Sequence, residues 1–284
     1  MLVKSYAKIN LYLKIGKRLK NNYHNIESLM LPIKLHDDIS FEKIDDNSII
    51  IESSNKGLEN EDNLSYRAAL LLKNKFDINS GIKINITKNI PLAAGLGGGS
   101  SNAAATLIAL NKLWKLKLNQ KRLLNLAMEI GSDVPFFISG KSSIIMGIGN
   151  KIKPLKNKSL NVVLVNPGIN ISTAWAYKEF DKNKKKSKIN NKAKNIKELV
   201  KSMRKKDIKK ISENIHNDFS RIVEKKHKII NDIKSDLKKN GALSSMVSGS
   251  GPTVFGIFNS IYEARGAYYK IKDEYPFVFL TKTF

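Results

Sequence analysis

A chain of 284 residues with 42% hydrophobic and 26% charged residues suffices for two modest domains or one large one, which sets aside wholesale disorder and collagen-like repeats. It has no cysteine, so disulfides, thiolate zinc sites, iron–sulfur ligation and cysteine nucleophiles are excluded, and a reducing compartment is expected. The net charge is +25, yet 44 of the 50 basic residues are lysine, and 21 basic against 8 acidic residues fall within 181–239; this reads as a drifted, solvated surface rather than the arginine-rich face of a nucleic-acid reader.

At the amino terminus Lys4, Lys8 and Lys14 interrupt any apolar run, so no secretory signal is expected and the chain is placed in the cytoplasm. Alternation at Leu11, Leu13 and Ile15 predicts a half-buried strand, with others over 38–44, over 49–52 and at Ile82, Ile84 and Ile86. Helical spacing of Leu64, Ala68, Leu71 and Leu72 predicts a helix over 63–76, and Ala103, Leu107, Leu110 and Trp114 predict one over 103–114. A third is expected over 120–130, closed by Gly131 in the usual manner of glycine and followed by a turn at Ser132-Asp133-Val134-Pro135. The uncharged run 89–111 is long enough for a bilayer, but Gly97-Gly98-Gly99-Ser100-Ser101-Asn102 at its centre rules out a span, and no membrane partner is expected.

A strand over 144–148 precedes the polar segment 149–159, which is taken as the boundary between domains of residues 1–155 and 156–284. The second begins with a strand over 162–165 and a helix over 172–180, runs through short helices to 239, and ends strand, strand, helix, strand over 242–247, 253–258, 261–271 and 277–281. The predicted class is α+β, with a β-rich first domain and no internal repeat.

The chemistry concentrates in Pro91-Leu92-Ala93-Ala94-Gly95-Leu96-Gly97-Gly98-Gly99-Ser100-Ser101, which runs from a strand into a helix. Glycines let backbone amides approach a ligand, the helix start adds free N–H groups and a positive dipole end, and the serines add hydroxyls, so the segment reads as an anion cradle. It is not a P-loop, because no lysine precedes Ser100, nor a Rossmann fingerprint, because the third glycine falls at Ser100 and the next acidic residue is Glu129. Taken alone, Asp133 reads as a turn or capping aspartate, Lys8 as an exposed strand lysine and Gly249-Ser250-Gly251 as a tight turn.

Together these segments resemble the GHMP kinases. Ser5-Tyr6-Ala7-Lys8-Ile9-Asn10-Leu11 is similar to the family's amino-terminal motif, the glycine run to its ATP loop, Gly131-Ser132-Asp133-Val134-Pro135 to its catalytic-acid segment, and Ser248-Gly249-Ser250-Gly251-Pro252-Thr253 to its carboxy-terminal loop. The resemblance implies an amino-terminal ATP domain and a ferredoxin-like carboxy-terminal domain. It implies Lys8 and Asp133 as catalytic residues, and ATP held by residues 91–101 with Asn63 near the adenine. Magnesium is implied with the ATP, for which Ser100 and Ser101 are candidate ligands.

Asn22-Tyr23-His24-Asn25-Ile26 narrows the resemblance to a branch whose acceptor is a small sugar alcohol bearing a cytidine diphosphate group. There Tyr23, His24 and Tyr177 would contact cytosine, and Asn10, Thr173, Gly249, Ser250 and Gly251 the rest of the acceptor. The alternatives are a homoserine- or mevalonate-type acceptor, or a basic nucleic-acid-binding module. No nucleic acid is expected, and the chain is expected to be a monomer or homodimer.

Overall fold

Strand-forming segments gather into two sheets, and amphipathic helices cover them. The computed structural model describes residues 1–20, 22–156, 159–186 and 195–284; residues 187–194 of the lysine-rich stretch lie outside the described residues. The first half runs β1 (Leu2–Arg18), β2 (His24–Ile44), β3 (Ile49–Ser53), α1 (Leu64–Phe76), β4 (Gly81–Thr87), α2 (Gly98–Leu113), α3 (Gln120–Ile130), α4 (Val134–Ser139), β5 (Ser143–Gly147) and β6 (Lys151–Pro154). The second half runs β7 (Asn161–Asn166), α5 (Thr173–Lys186), α6 (Ile196–Lys205), α7 (Ile208–Asn214), β8 (His216–Asn217), α8 (Ser220–Lys226), α9 (Ile229–Lys239), β9 (Ser244–Val247), β10 (Val254–Phe258), α10 (Ile261–Ile271) and β11 (Phe277–Lys282).

The first sheet is ordered β3-β4-β2-β1-β8, with β5 also on β2 and β6 on β5. The second is ordered β11-β7-β10-β9 and antiparallel throughout. Its strands, counted along the chain, lie 4-1-3-2 with α10 before the last, which is the ferredoxin-like arrangement expected. β7 is apolar on both faces: Val162 and Leu164 join Ile9, Leu11, Leu29 and Leu31 of the first sheet in one cluster, while Val163 and Val165 pack with α9 and α10 residues such as Ile233, Leu237, Ala264 and Ile271. Ile39, Phe41, Ile82 and Ile84 pack with α1, α2 and α3 through Leu72, Leu107 and Leu126. Each such aliphatic side chain contributes roughly 1.5–3 kcal/mol on burial.

Several elements depart from the sequence expectations. β1 is buried on both faces rather than half-buried, because Ala7, Ile9 and Leu11 face the core while Lys8 and Asn10, 3% and 1% exposed, face the cleft. β2 begins at His24, well before the expected 38: Leu29, Leu31, Ile33 and Leu35 alternate along its buried face, and Pro32 among them pairs with Lys8 at a register shift where proline is tolerated. α2 begins at Gly98, inside the glycine run, not at 103. The turn expected at 132–135 leads directly into α4, with Pro135 in its first turn, where the missing N–H is harmless. Gly131 ends α3 with φ 178°, an extended conformation open to any residue, so its closure does not use glycine's left-handed freedom. α5 continues six residues beyond the expected 180, to Lys186.

Candidate active site

α2 enters the site with Gly97 as its N-cap at φ 72° and no side chain capping it. Its first amides therefore lack partners within the helix, and they carry the positive end of the helix dipole. Gly95, at φ 71°, approaches the second glycine loop so closely that a Cβ there would lie 2.1 Å from the Ser248 carbonyl oxygen. Its own carbonyl accepts two hydrogen bonds, from Ser248 Oγ at 3.0 Å and from Lys8 Nζ at 3.0 Å. The two loops, more than 150 residues apart in sequence, are thus fastened at one oxygen atom.

Lys8 gives a second bond to Asn10 Oδ1 at 2.6 Å, and Asn10 Nδ2 is oriented by Ser28 Oγ at 2.9 Å. The Lys8 ammonium stands 3.8 Å from Asp133 Oδ2. Burial pushes the Lys8 ammonium below its ordinary value of 10.5, and the Asp133 carboxylate opposes the shift. Asp133 occupies the N-cap position of α4 but makes no capping hydrogen bond, so its carboxylate, 32% exposed, is left for the cleft. The capping role suggested by sequence alone does not hold.

Lys8, Asn10, Asp133, Pro91 to Gly95, Gly97 to Ser100, Thr173, Tyr177, Gly249 and Ser250 line one cleft of about 500 Å³. Thr173 Oγ1 lies 2.9 Å from Ser250 Oγ, which ties the start of α5 to the second loop. An adjoining pocket of about 770 Å³ is lined by Tyr23, His24, Thr173 and Tyr177, together with the cations Arg18, Lys178 and Lys182. In it the ring of His24 lies nearly parallel to that of Tyr177, with centroids 5.0 Å apart and planes at 17°, while Tyr23 is 56% exposed. Burial and the nearby Asp133 carboxylate push the Tyr177 phenol up to about 12.

Four residues named from sequence stand apart from the cleft lining. Asn63 caps α1, accepting from Ser65 N at 2.9 Å and donating to the Leu58 carbonyl at 2.8 Å. Ser101 donates to the Tyr6 carbonyl at 2.6 Å and accepts from Ser5 Oγ at 2.7 Å, so its hydroxyl is turned to β1. Leu96 is buried, with its carbonyl accepting from Lys8 N at 3.0 Å. Gly251 closes the second loop through its N–H to the Ser248 carbonyl at 2.9 Å.

The structure adds residues that the motifs did not announce. Asp37, fully buried, accepts from Asn89 N and Ile90 N at 2.8 Å each, from Asn102 Nδ2 at 3.0 Å and from Lys88 Nζ, which also reaches Asn102 Oδ1 at 3.1 Å. This node pins the strand leading into the glycine run against the first turns of α2. Asn102 ended the glycine motif in sequence and pointed this way; Asp37 sits inside β2, where no spacing singles it out. Asp181 of α5, whose Oδ1 lies 2.8 Å from His24 Nε2, is another such residue.

The family model for the GHMP kinases N terminal domain matches residues 63–141, and that for the GHMP kinases C terminal region matches 199–276. A 4-diphosphocytidyl-2-C-methyl-D-erythritol kinase of Caldanaerobacter subterraneus subsp. tengcongensis is 42% identical over 282 residues, covering 99% of this chain and 96% of that one. A crystal structure of 4-(cytidine 5'-diphospho)-2C-methyl-D-erythritol kinase superposes with a TM-score of 0.81 at 25% identity, covering 100% of this chain and 99% of the other. Mevalonate kinase of L. major in complex with R-mevalonate superposes at 0.79 with 16% identity, over 100% and 95% of the two chains, a likeness of fold alone. Among the described residues no helix is long and apolar enough to cross a membrane.

Proposed function

The chain belongs to the GHMP kinase family and is an ATP-dependent small-molecule kinase, and on that premise we propose that it phosphorylates 4-diphosphocytidyl-2-C-methyl-D-erythritol on its 2-hydroxyl, a step of isoprenoid precursor synthesis. The observation that carries the reading is the Lys8–Asp133 pair, 3.8 Å apart, set beside the free N-terminus of α2 on one side and the aromatic, cation-lined pocket on the other.

In this reading the ATP phosphates lie on the amides of residues 97–100. The acceptor hydroxyl attacks the γ-phosphorus, its proton passes to the Asp133 carboxylate, the bond from the γ-phosphorus to the bridging oxygen breaks, and ADP leaves. Lys8, fixed by Asn10 and Gly95, neutralises charge on the moving phosphoryl group beside Asp133. The cytosine ring lies between Tyr23 and Tyr177 with His24 at its edge, and Arg18, Lys178 and Lys182 attract the diphosphate.

The donor set suits a magnesium ion carried by the nucleotide: the Ser101 hydroxyl is already engaged while Ser100 lines the cleft, which leaves Ser100 to join a shell made mainly of phosphate oxygens and water. When bound, the ion would neutralise phosphate charge. An ATP-consuming reaction of this kind supports a cytoplasmic location.

A coupled ADP-release assay with the cytidylated methylerythritol, homoserine and mevalonate as acceptors tests the reading. Turnover is expected with the first alone; equal or better turnover of either other alcohol would overturn the acceptor while leaving the kinase intact.

A further inference from the structure

We infer that Asp181 is a specificity-determining positioning residue, which fixes the tautomer of His24 and through it the choice of cytosine over uracil; the inference rests on the cytidylated acceptor proposed above. His24 opens β2 and is only 8% exposed, whereas Asp181 lies in the third turn of α5, so the contact joins the two halves of the chain across the pocket. Asp181 Oδ1 is 2.8 Å from His24 Nε2. A carboxylate only accepts, so the proton of the neutral imidazole resides on Nε2 and Nδ1 is left as an acceptor. Among the described residues no hydrogen bond to Nδ1 is found, and since His24 lines the pocket, Nδ1 is the ring nitrogen left to meet a bound base.

The geometry beside it selects the partner. The imidazole lies nearly parallel to the Tyr177 ring stacked on it, so a base meeting His24 edge-on in the imidazole plane runs parallel to that ring as well. The edge such a base presents decides the fit: cytosine has an amino group at position 4, which donates to Nδ1, whereas uracil has a carbonyl there, which sets acceptor against acceptor. A site built to satisfy one polar edge rejects the other strongly, because the mismatched groups stay buried and unpaired.

The second oxygen of Asp181 supplies the direction of the test. Oδ2 lies 3.9 Å from the Arg18 guanidinium, which only donates. In Asp181→Asn the amide oxygen is therefore retained on the Arg18 side and the NH₂ group is presented to His24 Nε2. That forces the imidazole proton to Nδ1 and inverts the polarity offered to the base.

The experiment measures kcat/KM of the full chain for the cytidylated acceptor and for its uridine counterpart, in the parent, Asp181→Asn, Asp181→Ala and Asp181→Glu. The parent is expected to prefer cytosine by about 10²-fold or more. Asp181→Asn should reduce that ratio at least about tenfold, Asp181→Ala should reduce it less, and Asp181→Glu should restore most of it. The ratio is blind to loss of folded protein, so a merely structural contact would lower both substrates together. An unchanged ratio in the Asn and Ala variants, with the parent turning over the cytidylated acceptor, would overturn the role of Asp181 alone; a parent inactive on that acceptor would overturn the substrate reading and the selectivity with it. As a readout independent of turnover, the ¹⁵N shifts of His24, assigned by their loss in His24→Gln, should show the proton on Nε2 in the parent and on Nδ1 in Asp181→Asn.

Discussion

The Lys8 ammonium stands 3.8 Å from the Asp133 carboxylate while spending its shorter hydrogen bonds elsewhere, on Asn10 and on the Gly95 carbonyl. Asp133 is thus held near a fixed positive charge without being tied by it, which suits a group that must receive a proton. Asp133→Asn should keep the fold and the thermal shift given by ATP but lower kcat about 10²-fold or more, and Lys8→Met should do the same. Turnover of Asp133→Asn within a few-fold of the parent would remove Asp133 as the base.

Gly95 carries both a left-handed backbone and the close approach to Ser248. Gly95→Ala should therefore separate the two glycine loops, lowering kcat/KM at least about tenfold and the melting temperature by several degrees. A crystal structure of the variant with an undisturbed Gly95–Ser248 contact would contradict this.

Asp37 accepts four hydrogen bonds in full burial, and Lys88 beside it is 8% exposed at its side chain. Removing the carboxylate leaves a desolvated ammonium without its anion, so Asp37→Ala should lose about 3–5 kcal/mol in urea unfolding at neutral pH. Lys88→Met should cost less in an Asp37→Asn background than alone, the mark of a coupled pair in a double-mutant cycle.

The Tyr177 phenol, pushed up to about 12 by burial and Asp133, holds its proton in the folded chain at pH values where an unfolded tyrosine, near 10, has lost it. Its contribution is complete below pH 10 and disappears as pH climbs from 10 to 12. Urea unfolding of the parent and of Tyr177→Phe at pH 9 and pH 12 should show the parent losing up to about 2 kcal/mol more than the variant over that interval. Parallel losses would mean that Tyr177 ionises normally.

What the sequence revealed followed from local signals. The glycine run, the Asp133 segment and the second loop each combine unusual residues within a few positions, and β7, β10 and α10 carry clean apolar periods, so their place and kind could be read directly. The first half of β2 was missed although Leu29, Leu31, Ile33 and Leu35 alternate along its buried face, because Pro32 in their midst reads as a break in a strand. α4 was hidden because Val134-Pro135 after an aspartate has the composition of a turn. Ser101 and Asn63 were assigned to ATP on motif position, but hydroxyl and amide orientation is set by contacts with Tyr6, Ser5, Ser65 and Leu58 that no local pattern encodes. Asp181 stands at the edge of a lysine-rich run and acquires meaning only when α5 is laid against β2.

The apolar cluster under the cleft draws Ile9, Leu11, Leu29 and Leu31 from one sheet and Val162, Leu164, Phe255 and Ile257 from the other. Two members of the family therefore cannot be recombined simply by joining the nucleotide half of one to the acceptor half of the other. A chimera inherits a junction of unmatched side-chain shapes directly beneath Lys8, where overpacking or a void costs about 1–3 kcal/mol per site and shifts the strand that carries the ammonium. Exchange of acceptor preference is better sought at the pocket rim, in Tyr23, His24, Tyr177 and Asp181, which can be changed without touching that shared floor.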